Sequence, residues 1–114
     1  MSSPRFRVEL DWPSPGVGIV DVAGEIDMHT AQELGEVLAA AGEGQPHRLI
    51  VDLSAVGFID SMGLSVLVQN ARLLFTDGAS FEIICARKLM QVFEIAGLDE
   101  VFTFYATRAA AIDR

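Results

Sequence analysis

The stretch from Leu49 to Phe75 most constrains the fold. Leu49-Ile50-Val51-Asp52-Leu53 is a nearly unbroken apolar run. Such a run reads as a central strand covered on both faces, because a strand with one wet face would alternate. A second apolar run, Met62 to Phe75, is too long for a strand and reads as a helix. A short turn joins the two, and Asp60 and Ser61 stand at its end. A serine just before an apolar helical run is a helix-cap signal. Turned inward, its hydroxyl bonds a first-turn N–H. Turned outward, it faces solvent beside the positive end of the helix dipole, where a phosphate can be added and removed.

The rest of the chain repeats this strand–helix alternation. Phe6, Val8 and Leu10 alternate with Arg7, Glu9 and Asp11, which marks a strand with one buried face. Trp12 to Gly16 is rich in turn residues and is expected to end it. Val17 to Ala23 is a second strand, pairing with the first as a hairpin. Gly24 to His29 reads as a polar loop. Thr30-Ala31-Gln32-Glu33 has the capping-box pattern that starts a helix. Leu34, Val37, Leu38 and Ala41 mark its apolar face, and Gly42 and Gly44 stop it. Arg48 to Leu53 is the third strand, and Ser54 to Ser61 is expected to be a loop. The helix that follows carries a thin polar stripe at Ser65, Gln69, Arg72 and Thr76 and ends at Asp77-Gly78.

Phe81 to Ala86 is a further strand. Leu89, Val92, Phe93 and Ala96 mark a third helix, with Gly97 placed to end it. Phe102 to Tyr105 is a short strand near an edge, and Thr107 to Asp113 forms a last short helix. The order β-β-α-β-α-β-α-β-α predicts an α/β fold: a mixed, mostly parallel sheet of about five strands with about four helices. In such sheets function gathers at the carboxyl ends of the strands. The 24–30 and 54–61 loops should open together at that end.

Composition narrows the function. The 114 residues suit one domain spanning residues 1–114, and 51% of them are hydrophobic, enough for a core. The net charge is −8, which argues against nucleic acid and anionic membranes and favours a partner with a basic patch. The lone Cys85 lies in an apolar run, so it reads as a small buried hydrophobe with no internal disulfide. No apolar run approaches the ~20 residues of a membrane span. Met1-Ser2-Ser3-Pro4-Arg5 lacks the apolar region of a signal peptide, so a cytoplasmic location is expected.

Asp60-Ser61-Met62-Gly63 is the first candidate for chemistry. One reading is an ordinary cap, with Ser61 holding a backbone N–H and Gly63 fitting tight packing. A simple cap needs neither Asp60 nor Asp27 on the loop expected nearby. A hydrolase elbow of the Gly-x-Ser-x-Gly kind fails, since Ile59 stands at the first glycine. A Ser61/His29/Asp27 cluster is conceivable, but His29 reads better as a solvated residue before a helix. A phospho-aspartate receiver at Asp52 lacks an acidic pair on the first strands, and Lys88 opens a helix instead of ending a strand. There is no phosphate-binding loop, dinucleotide fingerprint or metal-ligand spacing. No catalytic residue, metal site or cofactor is therefore assigned.

Gly24-Glu25-Ile26-Asp27-Met28-His29-Thr30-Ala31, then Val51-Asp52-Leu53-Ser54, then Phe58-Ile59-Asp60-Ser61-Met62-Gly63-Leu64, resembles the STAS domain family. Within it the chain is most similar to the bacterial anti-sigma-factor antagonists, over nearly its whole length. The resemblance implies a non-enzymatic transcription regulator. Such a protein binds an anti-sigma factor that is also a serine kinase, and so frees a sigma factor. It implies that the kinase, using its own ATP, phosphorylates Ser61, that the modified form no longer binds, and that a serine phosphatase restores it. It places partner binding on Asp27, Met28, His29 and Thr30 of one loop and on Asp60, Ser61, Met62 and Gly63 of the other. Met62 departs from the small residue, often serine or threonine, that many relatives carry there. Ser61 is left as the only hydroxyl at that spot. Two other readings stay open: a STAS domain docking in a sensory assembly or lipid-transport machine without a phosphoswitch, and small-ligand binding in the crevice between the loops.

Overall fold

The computed structural model describes residues 5–113. The signal-peptide reading of Met1 to Arg5 falls almost entirely outside them. Among the described residues, nine elements follow the expected order: β1 (Arg7–Ser14), β2 (Val17–Ile26), α1 (Ala31–Glu43), β3 (Arg48–Ile59), α2 (Ser61–Thr76), β4 (Ser80–Ile84), α3 (Arg87–Ile95), β5 (Thr103–Tyr105) and α4 (Arg108–Ile112). They form a five-stranded sheet in the order β1-β2-β3-β4-β5. β1 and β2 are antiparallel, and every other neighbouring pair is parallel.

The alternation of the strands sorts the core onto two faces. Val20, Val22, Leu49, Val51, Leu53, Phe81 and Ile83 meet the buried stripes of α1, α2 and α3. The intervening Ile19, Ile50 and Ile84 meet Ala111 of α4 on the opposite face. Three successive crossover helices on one face are the outcome when all βαβ connections have the same hand. The second face also carries the buried charges. Arg48 donates to both carboxylate oxygens of Glu82, at 2.8 and 2.6 Å, and to the Ala111 carbonyl at 2.8 Å. Arg108 donates to Asp52 at 2.9 and 3.0 Å and to Asp21 at 2.8 Å, which ties α4 to the sheet.

Most boundaries fall within a residue or two of those expected, and three strand ends differ by more. β1 does not stop at Trp12: it runs to Ser14 with an irregular register after Asp11, leaving Pro15 and Gly16 as the turn. Pro13 is tolerated because β1 is an edge strand, which need not donate on its open side. β2 continues beyond Ala23 to Ile26, which is fully buried. Gly24 is required within it, with φ +100°, because a Cβ there would meet the Phe6 backbone at 2.9 Å. β3 continues past Leu53 to Ile59. The supposed loop at 54–59 is a strand paired with the end of β2, from Ala23↔Ala55 to Ile26↔Ile59, and only Asp60 separates it from α2.

Candidate functional site

Ile26 and Ile59 are register partners at the carboxyl ends of two neighbouring parallel strands. Each is followed directly by an aspartate that starts a helical turn, so the two expected loops do open together. The Asp60 backbone N–H donates to the Ile26 carbonyl at 3.0 Å, which locks the second loop to the first.

Asp60, not Ser61, caps α2. Its carboxylate accepts from the Met62 N–H at 2.9 Å and the Gly63 N–H at 3.1 Å, and its backbone is extended, as the residue before a helix requires. Both residues are good caps by type, and the chain direction decides between them. Asp60 must leave the sheet, so Ser61 is the first helical residue. With the inner N–H groups already held, the Ser61 hydroxyl has no hydrogen-bond partner among the described residues and is exposed. The outward orientation is the one adopted.

Gly63 explains how α2 comes so close. A Cβ there would meet Ile26 Cγ2 at 2.5 Å and Ile59 Cγ1 at 2.8 Å. Both isoleucines are buried and branched at Cβ, so neither can swing away. Gly63 is itself buried and contributes backbone, not a contact surface.

The first loop is built the same way. The Asp27 carboxylate accepts from the His29 N–H at 2.8 Å and the Thr30 N–H at 3.2 Å, with the Thr30 hydroxyl at 3.4 Å. The hydrogen bond from the His29 backbone, opposed in part by desolvation, holds the Asp27 carboxyl below its ordinary range. The capping box expected at Thr30 does not form. The Thr30 hydroxyl donates to the Glu25 carbonyl at 2.8 Å and accepts from the Asp27 N–H at 2.9 Å instead. Thr30 keeps the N-cap position without a side-chain cap bond, and the Asp27 carbonyl accepts from the Thr30 and Ala31 N–H groups. The aspartate assigned to partner binding thus also holds the turn before α1. His29 is exposed, as expected of a solvated residue.

The partner-binding candidates therefore divide. Met28, His29, Ser61 and Met62 are exposed; Asp27, Thr30 and Asp60 are half-buried; Gly63 is buried. Met28 is 67% exposed and Met62 53%, one exposed apolar side chain on each loop. Five cavities among the described residues are lined by residues other than Asp27, Asp60 and Ser61. No group of three or more His, Cys, Asp or Glu side chains among the described residues is arranged to hold a metal. No described helix is long and apolar enough to cross a membrane. Asp52, weighed above as a phospho-acceptor, is buried and engaged by Arg108 and by Ser54, whose N–H and hydroxyl donate at 2.9 and 2.5 Å.

The sheet order, one-sided crossover helices and paired aspartate-capped turns define an α/β domain of the STAS type. The family model described as the STAS domain matches residues 13–111, and the chain belongs to that family. Within it, the chain stands among anti-sigma-factor antagonists. It is 30% identical over 108 residues to the anti-sigma-F factor antagonist RsfB of Mycobacterium tuberculosis, covering 94% of this chain and 88% of that protein. It is 33% identical over 88 residues to the anti-sigma-B factor antagonist of Bacillus subtilis, covering 76% and 80%. The crystal structure of an anti-sigma factor antagonist from Mycobacterium paratuberculosis superposes with a TM-score of 0.88 at 31% identity, covering 99% of this chain and 97% of that one.

Proposed function

We propose that residues 1–114 act as one regulatory docking domain that binds an anti-sigma factor and thereby frees a sigma factor. The anti-sigma factor is also a serine kinase, which carries the ATP and phosphorylates Ser61. A serine phosphatase reverses the step. The chain itself performs no catalysis and works in the cytoplasm. Asp27, Met28, His29, Thr30, Asp60, Ser61, Met62 and Gly63 form the docking site, with Gly63 acting through the backbone placement it permits.

The observation that carries this reading is the division of labour between Asp60 and Ser61. Asp60 satisfies the helix start, so the serine hydroxyl is free for a kinase. Phosphate adds about −1.5 to −2 charge at neutral pH. At a surface already carrying Asp60 and Asp27, that charge repels or crowds a partner packed against the same spot. A change of ~3 kcal/mol alters affinity more than a hundredfold.

The test is recovery of partners from the native cytoplasm on the unmodified chain, followed by incubation of the purified partner with the chain and ATP. A kinase of the histidine-kinase-like ATPase type should be recovered, and peptide mapping should find one phosphate, on Ser61. Phosphate on Ser54, Ser65 or a threonine removes Ser61 from its role. Recovery of a sensory or transport complex without a kinase replaces the reading with a docking subunit.

A further inference from the structure

β3 outruns its neighbour. Its last pairing with β4 is Asp52↔Ile84, yet the strand continues to Ile59. Over residues 53–59 it pairs only with β2 among the described residues, so its other edge has no strand beside it. An unpaired edge is a template for another extended chain.

α3 flanks that edge. The space between them is a groove of about 460 Å³ lined by Phe58, Ile59, Lys88, Val92 and Ile95 among others. α3 uses Leu89 and Phe93 for the core. Its Ile95 is left 88% exposed, and Phe58 is 48% exposed across the groove. Large apolar side chains of both walls thus line one exposed channel, which is the signature of an interaction site and not of scattered surface residues.

The electrostatics point to the occupant's charge. The first turn of α3 holds Arg87 and Lys88, no acidic residue and no side-chain cap. Cations at the positive end of a helix dipole are the reverse of the stabilising arrangement. Lys88 forms no ion pair among the described residues, in a chain whose net charge is −8. A carboxylate arriving here would relieve a local mismatch that the fold leaves unanswered. The groove also reaches Ile59, one residue before the Asp60 cap, so it is continuous with the surface around Ser61.

The geometry points to this groove as a second part of the docking surface. It takes an extended segment of the anti-sigma factor, apolar at alternate residues, which adds to the free edge of β3 and places an acidic side chain against Lys88. Main-chain hydrogen bonds to β3 give affinity, and the Phe58–Ile95 channel gives specificity. The inference rests on the function proposed above.

The probe is the purified anti-sigma kinase recovered on the chain, titrated calorimetrically against wild type, Ile95→Asp, Lys88→Glu and the control Arg72→Glu on the polar stripe of α2. Circular dichroism confirms that each variant folds. Each groove variant should bind at least ten times more weakly, and Arg72→Glu should bind as wild type. Hydrogen exchange at residues 54–59 should slow in the complex. Groove variants that bind as wild type, or unchanged exchange on β3, overturn the inference while leaving the Ser61 surface standing. If the wild type binds no such kinase, the proposed function falls first and the inference with it. Dimerisation of the chain abolished by Ile95→Asp, or a small apolar molecule retained in native mass spectra, assigns the groove to another occupant and overturns it as well.

Discussion

Replacing Asp60 separates its charge from its hydrogen bonds. The carboxylate accepts from two first-turn N–H groups of α2, Met62 and Gly63, and sits at the positive end of the helix. Loss of an N-cap bond of this kind typically costs ~1 kcal/mol, and loss of the charge–dipole interaction about 0.3–1 kcal/mol. Asp60→Ala removes both, so a loss of roughly 1–2 kcal/mol is expected. For a chain of 114 residues that is a fall in melting temperature of roughly 4–10 °C. Asp60→Asn keeps an acceptor oxygen and loses only the charge, so it should fall by less than half as much. The Asp60 backbone N–H to the Ile26 carbonyl survives in both variants, which keeps the loop in place. Thermal melts followed by circular dichroism read the difference. Equal losses for Ala and Asn would show that charge alone acts. No loss for Ala would show that Ser61 takes over the cap, and the argument for a free hydroxyl would fail.

Two further expectations concern Asp27 and Cys85. Asp27→Ala should lower the melting temperature as well as weaken partner binding, because the carboxylate holds the His29 and Thr30 N–H groups. Its folded pKa is depressed, so its contribution is present above the ordinary aspartate range and disappears as pH falls through the lower folded value. The gap between the wild-type and Asp27→Ala melting temperatures should therefore narrow as pH falls below the ordinary aspartate range, and a gap that stays constant through acid pH would refute the assignment. Burial pushes the Cys85 thiol up to about 11, so a thiol reagent at pH 8 should leave the native protein unmodified and label it after denaturation. Rapid labelling of the native state would show that the strand end opens.

Much of the fold was legible because apolar period and turn residues agree along most of the chain. Leu49 to Leu53 reads as a central strand and is one, and the stripe at Ser65, Gln69, Arg72 and Thr76 is exposed on α2, together with Leu73 and Phe75. The far half of β3 was hidden because Ser54, Ala55, Gly57 and Phe58 are exposed and only Val56 and Ile59 turn inward. Its strand character comes from the ladder with β2, which no local pattern announces. The capping of α2 by Asp60 and not Ser61 was hidden for a different reason. Asp, Ser and Thr are all good N-caps, and the choice depends on where the chain leaves the sheet. Asp21, Asp52 and Arg108 were beyond reach, since Arg108 meets carboxylates 56 and 87 residues away in sequence. The pairing of Asp27 with Asp60 at one end of the sheet was legible, because both close a parallel strand before a helix.

The central claim is that phosphate on Ser61 changes the surface and not the fold. Asp60 holds the Met62 and Gly63 N–H groups without help from Ser61, so α2 does not need the serine to start. The phosphate gains about 0.3–1 kcal/mol from the helix dipole. Repulsion from Asp60 in solvent opposes it by a similar amount. The measurement is a paired one: thermal melts of the unmodified and Ser61-phosphorylated chains, and calorimetric titration of each with the anti-sigma kinase. The account predicts melting temperatures within about 2 °C of each other, the equivalent of under ~0.5 kcal/mol, and binding weakened by more than a hundredfold. A melting point lowered by many degrees in parallel with lost binding, or binding unaffected by the phosphate, would contradict it.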